Sequence, residues 1–124
     1  PLPELLQPLR AKAPAWLGVA PEAFTNTLVA QYRPGTPLGW HRDVPDFEQV
    51  VGVSLGAPAR MRLRRYPPTA SNKTQGLAIE LPPRSAYILQ GEARWDWQHA
   101  IAPTEAQRYS ITFRTPAARG RRSA

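Results

Sequence analysis

The sequence predicts an all-β fold, a double sheet or jelly roll, preceded by a short helical segment at the N-terminus. Three observations predict it. About eight short segments are rich in β-branched, aromatic and apolar residues, and most end at Pro or Gly. Prolines number 15 in 124 residues, which leaves little room for long helices. Two segments, RMRLRRY and RYSITFR, alternate strictly, as strands with two unlike faces do. A chain of this length forms one domain around one modest core. That domain is expected over residues 1–116, with 117–124 as a basic tail.

The elements follow in order. Leu5, Leu6 and Leu9 recur at helical spacing between Pro3 and Pro14, so a short amphipathic helix is expected there. Pro21-Glu22 suits the start of a second helical turn. Thr27 to Tyr32 is β-branched and apolar and ends at the Pro34-Gly35 turn. Leu38 to Arg42 reads as a second short strand, closed by Pro45. Gln49 to Leu55, QVVGVSL, has the continuous apolar character of a strand buried on both faces. After a turn at Gly56 to Pro58, Arg60, Arg62 and Arg64 alternate with Met61 and Leu63, giving a strand with a basic outer face. A polar loop, 67–75, leads to strands at Leu77 to Leu81 and Ser85 to Gln90. The aromatic-rich GEARWDW runs into His99, and Arg108 to Arg114 forms the last strand. No helix is expected after the N-terminal segment.

Composition narrows the function classes. The absence of cysteine excludes a disulfide framework and thiolate zinc sites, and fits the cytoplasm, where the chain is expected to act as a monomer. No apolar run approaches the roughly 20 residues of a membrane span. The chain begins at Pro1 rather than Met, so residues upstream are expected. Its net charge of +7 is carried almost wholly by arginine, with Lys12 and Lys73 the only lysines. Such a balance points to an anionic partner, nucleic acid first. The Arg60, Arg62, Arg64 face, with Arg65 beside it, has two readings: a track for phosphates, or a solvated strand face.

Chemistry concentrates in GWHRD. His41 and Asp43 are two apart, so in a strand they share a face, and the other histidine, His99, lies far downstream. Two histidines and one carboxylate is a donor set suited to non-haem iron. Alone, His-x-Asp arises often by chance. In RYSITFR, Arg108, Ser110, Thr112 and Arg114 share one face and Tyr109, Ile111 and Phe113 the other. If the arginine face is buried, it needs an anionic partner such as a dicarboxylate. If it is exposed, its arginines are ordinary surface charges.

The pieces YRPGTPLGWHRD, VVGVSLG, LPPRSAYILQGEARWDWQHAI and RYSITFR cover roughly residues 30 to 114. In this order they resemble the AlkB family of Fe(II)/2-oxoglutarate-dependent dioxygenases. The combination of HxD, a distal His and two arginines six apart is far more specific than any one motif. The resemblance implies a double-stranded β-helix, and Fe(II), 2-oxoglutarate and O2 as cofactors. It implies His41, Asp43 and His99 as iron ligands. Arg108 takes the place of the arginine that binds the distal carboxylate of 2-oxoglutarate, and Arg114 that of its partner nearer the metal. Tyr32 falls on the tyrosine of the family's Asn-x-Tyr motif, and Ser110 stands where several members have Asn. The implied reaction is hydroxylation of a substrate C–H coupled to decarboxylation of 2-oxoglutarate. On an N-alkyl group this amounts to demethylation or dealkylation, as in DNA or RNA repair.

The chain departs from the family pattern at three places. Ala30 replaces the Asn of Asn-x-Tyr; Pro45 follows where the founding bacterial enzyme has an acidic residue; and the segment before residue 25 is too short for that enzyme's full nucleotide-recognition lid. These departures leave the iron chemistry in place and bear on the substrate, for which nucleic acid dealkylation is the leading expectation. The alternatives are the same chemistry on a protein or small molecule, and a metal-binding module with little turnover. Trp40, Trp95 and Trp97 bracket the expected ligands and suit base stacking or packing beside the site. Glu92 and Arg94 are candidates for an ion pair that orients His99.

Overall fold

The computed structural model describes residues 18, 21–73 and 75–118. The expected N-terminal helix at Leu5, Leu6 and Leu9, together with Trp16 and the tail arginines Arg119, Arg121 and Arg122, lies outside the described residues. A 3-10 turn, Pro21–Ala23, stands where Pro21-Glu22 led the sequence to expect one.

Eight strands follow among the described residues: β1 (Asn26–Tyr32), β2 (Leu38–His41), β3 (Phe47–Gly56), β4 (Ala59–Arg65), β5 (Gly76–Leu81), β6 (Ser85–Leu89), β7 (Trp97–Ile101) and β8 (Arg108–Pro116). They form two four-stranded sheets of order β1-β8-β3-β6 and β2-β7-β4-β5, antiparallel throughout. Except at the β4–β5 hairpin, the chain changes sheet at every connection. This is the jelly roll expected, and it sets each strand against its sequence neighbour across the core.

Alternation decides which residues fill that core. Val50, Met61, Leu63, Leu89 and Ile101 pack between the sheets, with Leu38, Tyr87 and Trp97 at their margin. The opposite faces of β3 and β8 carry a second cluster, Val51, Val53, Ile111 and Phe113, capped by Phe24 just past the 3-10 turn. So β3 is buried on both faces, as its unbroken apolar run requires. On β4, Met61 and Leu63 are buried while Arg60 and Arg62 are exposed.

Two expectations are corrected. A helical turn, α1 (Glu92–Trp95), interrupts the strands, because Glu, Ala and Arg favour helix and none is β-branched. And β2 ends at His41, so Asp43 lies in the loop beyond it rather than beside it on the strand. The β2–β7 register also shifts between Leu38 and His41. The turn after β3 uses Gly56 at φ 81°, where a Cβ would also meet the Gln107 carbonyl oxygen at 2.7 Å.

Candidate active site

The site lies between the sheets, at the end of the core where polar side chains replace apolar ones. β2 and β7 place His41 directly opposite His99. Their rings are 4.2 Å apart between centroids and tilted by 56°. His41 Nδ1 donates to the Gly39 carbonyl at 2.8 Å, which leaves Nε2 as the nitrogen with a free lone pair. His99 is held well below the usual histidine range, at about 4. Burial is the main cause, followed by His41, with Asp43 acting in the opposite sense. It is therefore neutral at neutral pH, as a metal-ligating imidazole must be.

Asp43 reaches the same cavity from the loop after β2. Its Oδ2 accepts from Arg114 Nε at 2.6 Å, and each side chain is 15% exposed. Arg114 Nη1 also donates to Thr112 Oγ1 at 2.5 Å. Among the described residues, no three His, Asp or Glu side chains are drawn together as a ready metal cluster. The two histidines meet; the carboxylate shares their cavity with one oxygen turned to Arg114. The other oxygen, Oδ1, has no hydrogen-bond partner among the described residues.

The cavity holds about 260 Å³ and is bordered by His41, Asp43, His99, Tyr32, Arg108 and Arg114, with Ser110 also in its wall. The arginine face of β8 thus turns inward, the first of the two readings the sequence allowed. Arg108 is 1% exposed. Its Nε donates to Ser54 Oγ at 2.9 Å, and its guanidinium lies 5.2 Å from the Tyr32 ring centroid. No carboxylate pairs with it among the described residues. A buried cation in that condition is costly unless an anion joins it. Ala30 and Ser110, both small, are cross-strand partners on β1 and β8.

Several residues of the site were missed in the sequence. Ser54, fully buried, is the one polar side chain in VVGVSL and faces Arg108. Tyr87 stands opposite Gly52, where a Cβ would come within 2.2 Å of its ring. A lone Gly in a buried strand is the signal that something passes close. Burial raises the Tyr87 phenol, with Arg108 pulling the other way, so its hydroxyl stays protonated and can donate.

Arg94 corrects another expectation. Glu92 pairs with Arg65 at 3.6 Å, not with Arg94. Arg94, 2% exposed, donates through Nε and Nη2 to the Phe47 carbonyl at 3.1 and 2.8 Å, and through Nη2 to that of Val44 at 2.7 Å. It also stacks on Trp95, 4.1 Å from the ring centroid. It therefore clamps the loop that follows Asp43. Burial lowers its affinity for its proton, while Asp43 and Glu48 support it. The tryptophans also separate. Trp97 packs at the core margin, Trp95 is buried with Nε1 donating to Glu48, and Trp40 lies on the outer face of its sheet between Arg62 and Arg64.

Over residues 1–114 the chain matches the 2OG-Fe(II) oxygenase superfamily, and it belongs to that family. Family membership brings Fe(II), 2-oxoglutarate and O2 as cofactors. Within the family its likeness is to AlkB-type proteins. It is 34% identical over 98 residues to the Alkylated DNA repair protein ALKBH8 homolog of Arabidopsis thaliana, covering 68% of this chain and 28% of that one. It is 35% identical over 100 residues to protein L905 of Acanthamoeba polyphaga mimivirus, covering 70% of this chain and 46% of the other. The chain thus spans less than half the length of the curated relatives it matches. The structure of OsALKBH1 shares the fold, with a TM-score of 0.70 at 18% identity, over 92% of this chain and 64% of that one. Oxalate oxidase shares it more distantly, at 0.54 and 6%, over 73% of this chain and 41% of the other.

Proposed function

We propose that this chain carries the catalytic core of an Fe(II)/2-oxoglutarate-dependent oxygenase that removes alkyl groups from nucleic acid by oxidative dealkylation. The observation that carries the reading is Arg108, a buried guanidinium without a carboxylate of its own, on the cavity that also holds both histidines and Asp43. His41 through Nε2, His99 as a neutral imidazole and Asp43 through Oδ1 would hold the iron. Asp43 Oδ2 stays with Arg114, which fixes the carboxylate's orientation. Arg108 would bind the distal carboxylate of 2-oxoglutarate as a charge-assisted pair, flanked by the Tyr32 and Tyr87 hydroxyls. Ser110 lines the same wall. Iron and 2-oxoglutarate, when bound, would supply the oxidising chemistry with O2, one oxygen atom going to the substrate C–H as hydroxyl and the other to succinate as 2-oxoglutarate loses CO2. When the carbon is an N-alkyl group, the product collapses to an aldehyde and the freed nitrogen. Val51, Val53, Ile111, Phe113 and Phe24 pack behind the sheet that carries the arginine wall.

The likeness to the ALKBH8 homologue and the basic charge support a nucleic acid substrate. The test is succinate formation coupled to O2 uptake, lost in His41→Ala. Aldehyde release from methylated oligonucleotides, set against hydroxylation of peptides, decides the substrate. No turnover with or without substrate would leave only a metal-binding module.

A further inference from the structure

The outer face of the second sheet carries a feature that the cavity chemistry does not use. Four arginines lie on or beside that face of β4, and their partners divide them. Arg60 bonds Glu80, Nε to Oε1 at 2.7 Å and Nη2 to Oε1 at 2.6 Å. Arg65 pairs with Glu92 at 3.6 Å. The two central arginines, Arg62 and Arg64, have no acidic partner among the described residues. Both instead converge on one ring: their guanidinium carbons lie 5.2 and 4.3 Å from the Trp40 centroid. Arg64 Nε also donates to Gln98 at 2.9 Å. Beside them runs an open groove of about 400 Å³, lined by Trp40, Arg62, Arg64, Lys73, Gln75 and the exposed Leu77, with no acidic side chain in its wall among the described residues.

Arg60 and Arg65 each face a carboxylate. In the groove two like charges and a lysine are gathered, and a shared indole offsets their repulsion. An anion between the guanidinium forks would relieve what remains. Planar forks select phosphate or carboxylate, Trp40 offers a stacking surface, and the Gln75 and Gln98 amides can meet polar edges. Two guanidinium groups gathered beside one ring, with no carboxylate between them, match the regular negative charge of a phosphodiester chain, which favours that occupant over a lipid surface.

We propose that this groove is an exosite for single-stranded nucleic acid, and, resting on the substrate proposed above, that it grips nucleotides flanking the one that reacts. It does not hold the reacting nucleotide. Trp40 and His41 are consecutive in β2, so groove and cavity lie on opposite faces of one sheet. Trp40 stands on β2, the edge strand of that sheet, so a strand gripped in the groove can turn around this edge toward the cavity.

The test is binding of an unmodified single-stranded oligonucleotide to the full chain, by fluorescence anisotropy over a salt series. The double variant Arg62→Gln/Arg64→Gln is expected to lose about tenfold or more in affinity. The slope of log affinity against log salt should fall by about 0.7 for each phosphate contact removed. Trp40→Ala should weaken binding by about tenfold with the slope retained, because stacking releases no counterions. Arg62→Lys/Arg64→Lys should keep the slope and so show that the fold survives. Arg60→Gln should bind as the parent does, since Arg60 already has Glu80. Binding and slope indifferent to the double change would overturn the exosite, as would capture by phosphatidylserine vesicles without oligonucleotide binding. The probe carries no alkyl group. Groove-dependent binding without aldehyde release from methylated oligonucleotides therefore upholds the exosite while the dealkylase reading falls.

Discussion

Arg108 and Arg114 lie six positions apart on one face of β8, yet one is paired and the other is not. Arg108→Ala is expected to raise the 2-oxoglutarate requirement by about 10- to 100-fold, the worth of one charge-assisted carboxylate pair. Metal binding should change far less; equal loss of both, measured by titration, would refute the assigned role. His99 sets a pH dependence. In the unfolded chain it titrates near 6.5 and in the folded, metal-free chain at about 4. Between these values the unfolded state binds the extra proton, so stability falls as pH drops from 6.5 to 4 and levels off below. The full shift corresponds to roughly 3 kcal/mol. Denaturant melts of the metal-free protein should show this slope, and His99→Gln should flatten it.

The elements explain what could be read early and what could not. Arg108 and Arg114 are legible as sharing a face, because period two assigns faces without knowing the neighbours. His41, Asp43 and His99 are set together by the family resemblance, and Asp43 reaches the cavity from a loop that the alternation does not foresee. The inward turn of β8 is also legible, but only as a choice, since Tyr109 and Ile111 are both apolar while one is 40% exposed and the other 6%. Ser54, Tyr87 and Arg94 are not legible, because each acts across a pairing the sequence does not name. Tyr87 needs Gly52 on the neighbouring strand; Arg94 needs a helical turn that swings it away from Glu92 and toward the Val44 and Phe47 carbonyls. Gly52→Ala is expected to displace the Tyr87 ring at a cost of about 1–3 kcal/mol, seen as a lowered thermal midpoint together with weaker 2-oxoglutarate binding. An unchanged midpoint would mean the ring moves freely. Arg94→Met removes every bond to the loop after Asp43. It is expected to loosen metal retention more than 2-oxoglutarate binding, because Arg108 and Tyr32 stand on other strands.

For the molecule as a whole, three side chains from β2, its following loop and β7 converge on one cavity, so a bound ion would tie these segments together. Mn(II) with 2-oxoglutarate is expected to raise the thermal midpoint by mass action, about 2.7 kcal/mol at a hundredfold excess over Kd, and chelator should reverse it. In His41→Ala the metal increment should vanish. Among the described residues no helix is long and apolar enough to cross a membrane. Positive charge and packing are kept apart, with arginines outward on β4 and inward on β8, so the sheets carry basic groups on two faces of different use.

The bulge within β2 has a consequence for how this chain can tolerate changes of length. His41 and Trp40 differ by one position and by a whole sheet thickness. The bulge already sets three steps of β2 against two of β7, so one more residue inserted here would break the pairing of His41 with His99. Loops such as 67–73, by contrast, can absorb extra residues without moving either group. A one-residue insertion after Leu38 is thus expected to give a folded protein that no longer retains metal, whereas the same insertion after Ser71 should keep it.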